Sequence, residues 1–341
     1  MNSPAPPTVL PPPDEGQDDE DLRTSIPLLE RGSPLVRWMV GGCVALVVVA
    51  SVGATIAASL GNLPDFDWRW DGRWFALAVI GFTTLNLMHA TLWRILPGLL
   101  RAPLGPSRGL AIWCTSGLAR YTPGTMLYSA LRIAMAQSEG VPLKTGLASV
   151  VYELALTLTS AVVVGAYALV QGDPIQAGPV RWLILMLPLI AISMLHPRIF
   201  RPVSDAVLRR VKRPVLPHLL GFGTILWLLA LYCVSWVIAG LSLYALIQGV
   251  HPVHPDDLLL VIAAPAVGII AALVGFMIPG GLGARETGVA AVLSLTVPFA
   301  VAFAVAVAMR LVQLAIELIC AGVTSLTAER IARRSQRAPA S

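Results

Sequence analysis

Long apolar runs separated by short polar intervals fill the chain from about residue 35 to residue 325. A helix needs about 20 apolar residues to cross a hydrocarbon core of about 30 Å. Runs near that length lie at about 35–60, 74–96, 147–170, 181–196, 219–248 and 298–325. The first is too long for a signal-peptide core and reads as an uncleaved span. Two further apolar regions are interrupted. Residues 109–137 break at Ala119-Arg120-Tyr121-Thr122-Pro123-Gly124-Thr125, and residues 258–297 break at Phe276-Met277-Ile278-Pro279-Gly280-Gly281-Leu282-Gly283-Ala284-Arg285-Glu286. In the first, neither side is comfortably long enough to span, and the second helix should start with Thr122 as N-cap and Pro123 at its first position. The pattern predicts an all-α polytopic membrane protein: about six full spans plus two broken, re-entrant helical hairpins.

Helix breakers and charges inside apolar sequence need a reason. Free backbone groups and charges near hydrocarbon each cost kcal/mol unless they meet protein or water. Each break is therefore a solvated turn or a place where something binds.

Composition divides the chain further. Only 13% of its 341 residues are charged and 56% are hydrophobic, against about 25% charged in a soluble domain. Residues 1–33 combine many prolines with the acidic run Asp14 to Asp21 and predict a disordered tail. A membrane domain over 34–326 follows, with halves at about 74–196 and 219–325, then a basic tail over 327–341. Sixteen Lys and Arg fall in loops on the side of the N-terminus and three (Arg69, Arg73, Arg181) on the other. By the positive-inside rule both termini are cytoplasmic. The net charge of +5 fits membrane orientation and anionic lipid headgroups, not nucleic acid. Six of the basic residues lie between 198 and 213 and predict a short basic helix. Four scattered cysteines in apolar context read as packing residues.

With that orientation, the Pro123-Gly124 break enters from the cytoplasm and the Pro279-Gly280 break from outside. Each half reads as span, broken segment, span, an inverted repeat of the kind that marks transporter binding sites. The second helix of each hairpin begins with unpaired N–H groups and the positive end of a dipole. Two such ends facing each other would hold an anion such as a phosphate, with Arg120, Arg132 and Arg285 adding formal charge. The plainer alternative is an interfacial turn at each break with arginines that snorkel to water.

Other polar residues punctuate the spans. Arg310, Gln313 and Glu317 share one helical face, which should look into the bundle as a hydrophilic wall or an ion-pair network. Glu153 is a partner for Arg132 or Arg120, or a carboxylate that accepts a coupling proton where desolvation disfavours its charge. Asn86 and His89 read as an interhelical hydrogen-bonding pair. His251, His254, Asp256 and Asp257 read as a turn and cap around Pro252 and Pro255, not a metal site. Catalytic, nucleotide-binding and metalloenzyme signatures are absent, so no cofactor, metal or catalytic residue is assigned.

The segments ARYTPGTM, then Arg132, Gly140 and VYE ending at Glu153, and later GFMIPGGLGARETGVAAVL, resemble the flippase-like transmembrane region of the lysylphosphatidylglycerol synthase family. The resemblance covers roughly residues 35–330. It carries over to Arg120, Tyr121, Pro123, Gly124, Arg132 and Glu153, and to Pro279, Gly280, Gly281, Gly283, Arg285 and Glu286. It implies membrane-embedded handling of a lipid in a bacterial inner membrane. Family members that also make the lipid carry a cytosolic synthase domain, for which this sequence leaves no room, so tRNA use and lysyl transfer are not expected. The expected function is binding and translocation of an anionic phospholipid or lipid-linked headgroup, with a separately encoded lipid-modifying enzyme as a possible partner. The rival is an intramembrane enzyme or accessory subunit acting on a lipid or lipid-linked glycan, with Glu153 or Glu286 as acid or base.

Overall fold

Backbone inside hydrocarbon must satisfy its own N–H and C=O groups, and the described residues do so as ten α-helices with no strand. The structure, a computed structural model, describes residues 69–121, 127–171, 180–210, 219–275 and 283–337. In chain order the helices are α1 (Gly72–Leu99), α2 (Pro106–Gly117), α3 (Leu127–Ser138), α4 (Leu143–Gln171), α5 (Val180–Met194), α6 (Pro197–Arg210), α7 (Phe222–Gln248), α8 (Leu258–Gly275), α9 (Ala284–Leu293) and α10 (Phe299–Arg337). Five are long and apolar enough to cross a membrane, and the bent pair α5–α6 makes up to six. The expected first span at about 35–60 lies outside the described residues.

Local chemistry sets the helix ends. Asp71 Oδ1 accepts the Arg73 N–H at 2.9 Å and caps α1. At its other end Ala102 N–H bonds Pro97 O at 2.9 Å and Arg101 N–H bonds Gly98 O at 3.1 Å. That paired closure places Arg101 at φ 69, where glycine is usual. The same closure ends α3, with Gly140 at φ 86 and Val141 N–H on Ala136 O at 3.0 Å.

The two interrupted regions fold as short helices. α2 and α3 have 12 residues each, about 18 Å of rise apiece, and a 3-10 turn at Leu118–Tyr121 follows α2. The cap expected at Thr122 and Pro123 lies outside the described residues. In the second region α8 returns as the 10-residue α9. A Cβ on Gly268 would meet Val289 at 2.6 Å, and one on Gly288 would meet Ala271 at 2.6 Å, so glycine lets the two helices touch.

Several boundaries differ from the sequence reading: α4 starts at Leu143, ahead of the expected 147, and α9 ends at Leu293, short of the expected 297. The run at 181–196 ends as helix at Met194, because Pro197 disfavours helical backbone in the residue before it; the chain turns by 79° into α6, the expected basic helix. α10 continues to Arg337, well past the expected end at 325, since residues 325–337 contain no Gly or Pro and many good helix formers.

Three buried apolar clusters hold the bundle. One joins α1, α4, α7, α8, α9 and α10; a second joins α1, α4, α6 and α7; the third joins α1, α2, α3 and α10. α1 therefore contributes to every layer and fixes α2 and α10 relative to α7. Large apolar side chains left exposed, such as Trp182, Leu183, Leu187 and Ile190 on α5, suit contact with acyl chains.

Candidate functional site

Depth selects the site. Asn86 and Ser235 fall at the midpoints of α1 and α7, helices of 28 and 27 residues. Arg310 and Gln313 fall at the middle of the Phe299–Thr324 span. Glu153 lies ten residues into α4, about 15 Å from its start and deeper than an interfacial position. Each of these polar groups thus lies well inside its own helix rather than at a helix end.

The first-half cluster is built around Arg132 of α3, which is 0% exposed. Its Nη1 donates to Glu153 Oε1 at 2.9 Å and Oε2 at 2.6 Å. Its Nε donates to Ser116 Oγ of α2 at 3.1 Å. The guanidinium carbon stands 4.1 Å from the Trp113 ring centre, 5.3 Å from Tyr128 and 5.4 Å from Trp93. A desolvated cation needs both a counter-charge and π-faces, and here it has them. Two donors of the cluster remain unfilled: Arg132 Nη2 and Trp93 Nε1 are buried without a hydrogen-bond partner. An unfilled buried donor costs about 1–3 kcal/mol, more when charged.

Around that core the contacts spread to α1, α7 and α10. Trp113 Nε1 donates to Asn86 Oδ1 at 3.1 Å, and Asn86 Nδ2 donates to Cys320 Sγ at 3.5 Å. His89 Nε2 lies 3.0 Å from Ser235 Oγ, with its ring stacked on Tyr232 at 6.0 Å. Asn86 and His89 are both interhelical, as expected, but reach different helices.

The second-half cluster joins α9 to α10. Gly283, at φ 107, turns the chain into α9 in a conformation that favours glycine. Ala284 follows, then Arg285 and Glu286. Arg285 Nη2 donates to Gln313 Oε1 at 3.3 Å, and Arg310 Nε stands 3.1 Å from Glu286 Oε1. Glu317, one turn further along α10, lies beside Cys114 of α2. The face carrying Arg310, Gln313 and Glu317 is therefore turned into the bundle. It touches α9 at one end and α2 at the other. The two clusters together hold three arginines (Arg132, Arg285, Arg310) and three glutamates (Glu153, Glu286, Glu317) among the described side chains.

Of the residues singled out in the sequence, Arg132 meets Glu153 while Arg285, Glu286 and Arg310 meet on a second site. Arg120 and Tyr121 belong to the 3-10 turn after α2, with side chains outside the description; Thr122, Pro123, Gly124, Pro279, Gly280 and Gly281 lie outside it altogether. Sequence reasoning passed over Trp93, Trp113, Tyr128 and Ser116. The signal was there: tryptophans in mid-run carry an N–H that must find an acceptor. His254 and Asp256 form the expected cap, on the 3-10 turn Pro255–Asp257.

Comparison with known proteins gives one result. Searches of curated proteins and of solved structures return no match. The family model described as the lysylphosphatidylglycerol synthase TM region matches residues 36–321, an interval that contains the side chains of both clusters. On that match, this multi-span helical membrane protein belongs to the lysylphosphatidylglycerol synthase transmembrane family.

Proposed function

We propose that the protein binds an anionic phospholipid or lipid-linked headgroup and translocates it across the bacterial inner membrane, with both termini cytoplasmic. The observation that carries this reading is unused donor capacity inside the bundle: Arg132 Nη2 and Trp93 Nε1 are buried and lack an acceptor. Phosphate oxygens supply acceptors, and a guanidinium beside aromatic rings holds them with charge-assisted bonds. Arg132 is enclosed and neutralised by Glu153, so this arrangement is an occluded one. A headgroup entering from either side must draw Arg132 away from Glu153, and such an exchange closes the path behind it.

The second cluster supports the same reading. Glu286 holds Arg310 in the way that Glu153 holds Arg132, and α9 presents its N-terminus beside that pair. The two broken segments then act as oppositely oriented repeats, each contributing one member of an arginine–glutamate pair whose other member lies on a long helix.

The test is leaflet exchange by the pure protein in vesicles containing fluorescently labelled phosphatidylglycerol, followed by chemical quenching of the outer leaflet. Wild type should bring inner-leaflet label out. Arg132→Gln should slow it at least about tenfold, since truncating one partner of a buried charge pair costs about 2–5 kcal/mol, and Arg285→Ala should slow it too, by removing the guanidinium that bonds Gln313. Wild-type vesicles that keep the label on its starting leaflet would end the proposal.

A further inference from the structure

A further surface of exposed arginines and apolar side chains lies on α6. This helix leaves α5 at an angle of 79°. α5 exposes Trp182, Leu183, Leu187 and Ile190, so it sits among acyl chains, and a turn of that size lays α6 across the end of a span. At 100° per residue the side chains of α6 divide into three faces about 120° apart. Phe200 and Ser204 form the inward face; both are buried, and Phe200 stacks on Tyr152 of α4 with ring centres 4.9 Å apart. Ile199 and Val203 form the second face and are 40% and 43% exposed. Arg198, Arg201 and Arg209 form the third, all exposed, with Arg210 also exposed. Asp205 is the one acid of the helix, 4.0 Å from Arg201, so a clear positive excess remains.

We infer that α6 docks on the headgroup layer of the bilayer and binds anionic phospholipid there. Its first face holds the bundle, its second enters the acyl boundary, and its third meets phosphates. An acidic protein segment would match the arginines but leave Ile199 and Val203 in water. Only a lipid surface satisfies both free faces, because it offers charge and hydrocarbon within about 5–10 Å of each other. The site does not depend on Arg132 or Arg285, so it stands or falls apart from the translocation reading.

The full chain should be titrated with phosphatidylglycerol and with phosphatidylcholine, with bound lipid counted by native mass spectrometry. Wild type should prefer phosphatidylglycerol, and the preference should weaken with salt. The triple variant Arg198→Gln, Arg201→Gln, Arg209→Gln should lose at least about fivefold of it, while the matching lysine triple keeps most of it. Hydrogen exchange in nanodiscs localises the effect: residues 197–210 should be more protected with phosphatidylglycerol than with phosphatidylcholine alone. Unchanged lipid preference in the glutamine triple would overturn the assignment. So would protection of 197–210 that ignores lipid type and vanishes when the acids of residues 14–21 are replaced by their amides.

Discussion

Arg132 shows how a membrane interior makes a charge tolerable. Its positive charge is answered by Glu153, its Nε by Ser116, and its faces by Trp113, Tyr128 and Trp93. Removing one partner alone leaves the other charge buried and uncompensated. Glu153→Ala should therefore cost about 3–5 kcal/mol, seen as a large drop in the unfolding midpoint of the detergent-solubilised protein. The double variant Arg132→Met, Glu153→Leu should recover most of that loss, because no desolvated charge remains. A double variant as unstable as Glu153→Ala would show that the pair contributes packing more than charge balance. The sequence made both charges conspicuous, since Arg and Glu in apolar runs are costly enough to need each other. It did not show the aromatic cage, because Trp93 and Trp113 read as ordinary apolar residues until their rings are placed around a cation.

Among the elements, the α8–α9 hairpin depends on backbone freedom and on the absence of side chains. Gly283 sits at φ 107 with nothing near its missing Cβ, whereas Gly268 has Val289 within 2.6 Å of its own. Gly283→Ala should cost about 1–2 kcal/mol through the left-handed backbone. Gly268→Leu should cost about 1–3 kcal/mol by forcing the helices apart, and it should also displace Arg285, whose side chain lies 3.5 Å from that Cβ position. The checking pair of measurements is thermal unfolding and leaflet exchange: Gly268→Leu should impair both, Gly283→Ala mainly the first. Arg101 gives the opposite prediction. It holds a position at φ 69 that glycine occupies in the matching closure of α3, so Arg101→Gly should stabilise by about 0.5–1 kcal/mol after the unfolded-state entropy of glycine is deducted. A fall in the unfolding midpoint would count against that account. Helix existence, the breaks and the basic helix were legible from hydrophobic pattern and Pro-Gly content. The corner at Leu195–His196 and the extension of α10 were not, because a turn in a short apolar run and a helix in a charged tail have weak periodic signals.

Across the whole molecule, α10 ties the two clusters together. It presents Arg310 and Gln313 to α9, Cys320 to Asn86 of α1, and Glu317 to the neighbourhood of Cys114 on α2. Cys114 and Cys320, expected as separate packing residues, are neighbours. If α2 and α10 part during translocation, linking these thiols should arrest it. Mild oxidation of reconstituted protein should join residues 114 and 320, as peptide mass spectrometry reads, and stop leaflet exchange until a reductant restores it. Exchange that continues at full rate in the linked protein would mean that α2 and α10 move as one body.

The amino-acid sequence by itself determined that the chain crosses the membrane many times, where its helices break, and which charges are too costly to lie idle. These follow from local quantities: run length against bilayer thickness, backbone conformation at Pro and Gly, and the cost of an ion in hydrocarbon. Tertiary structure alone decided which charge answers which, that Trp93 and Trp113 enclose Arg132, and that α10 carries both clusters on one face. Those are relations between residues as much as 234 positions apart, and no local propensity fixes the packing angle or register that brings them together.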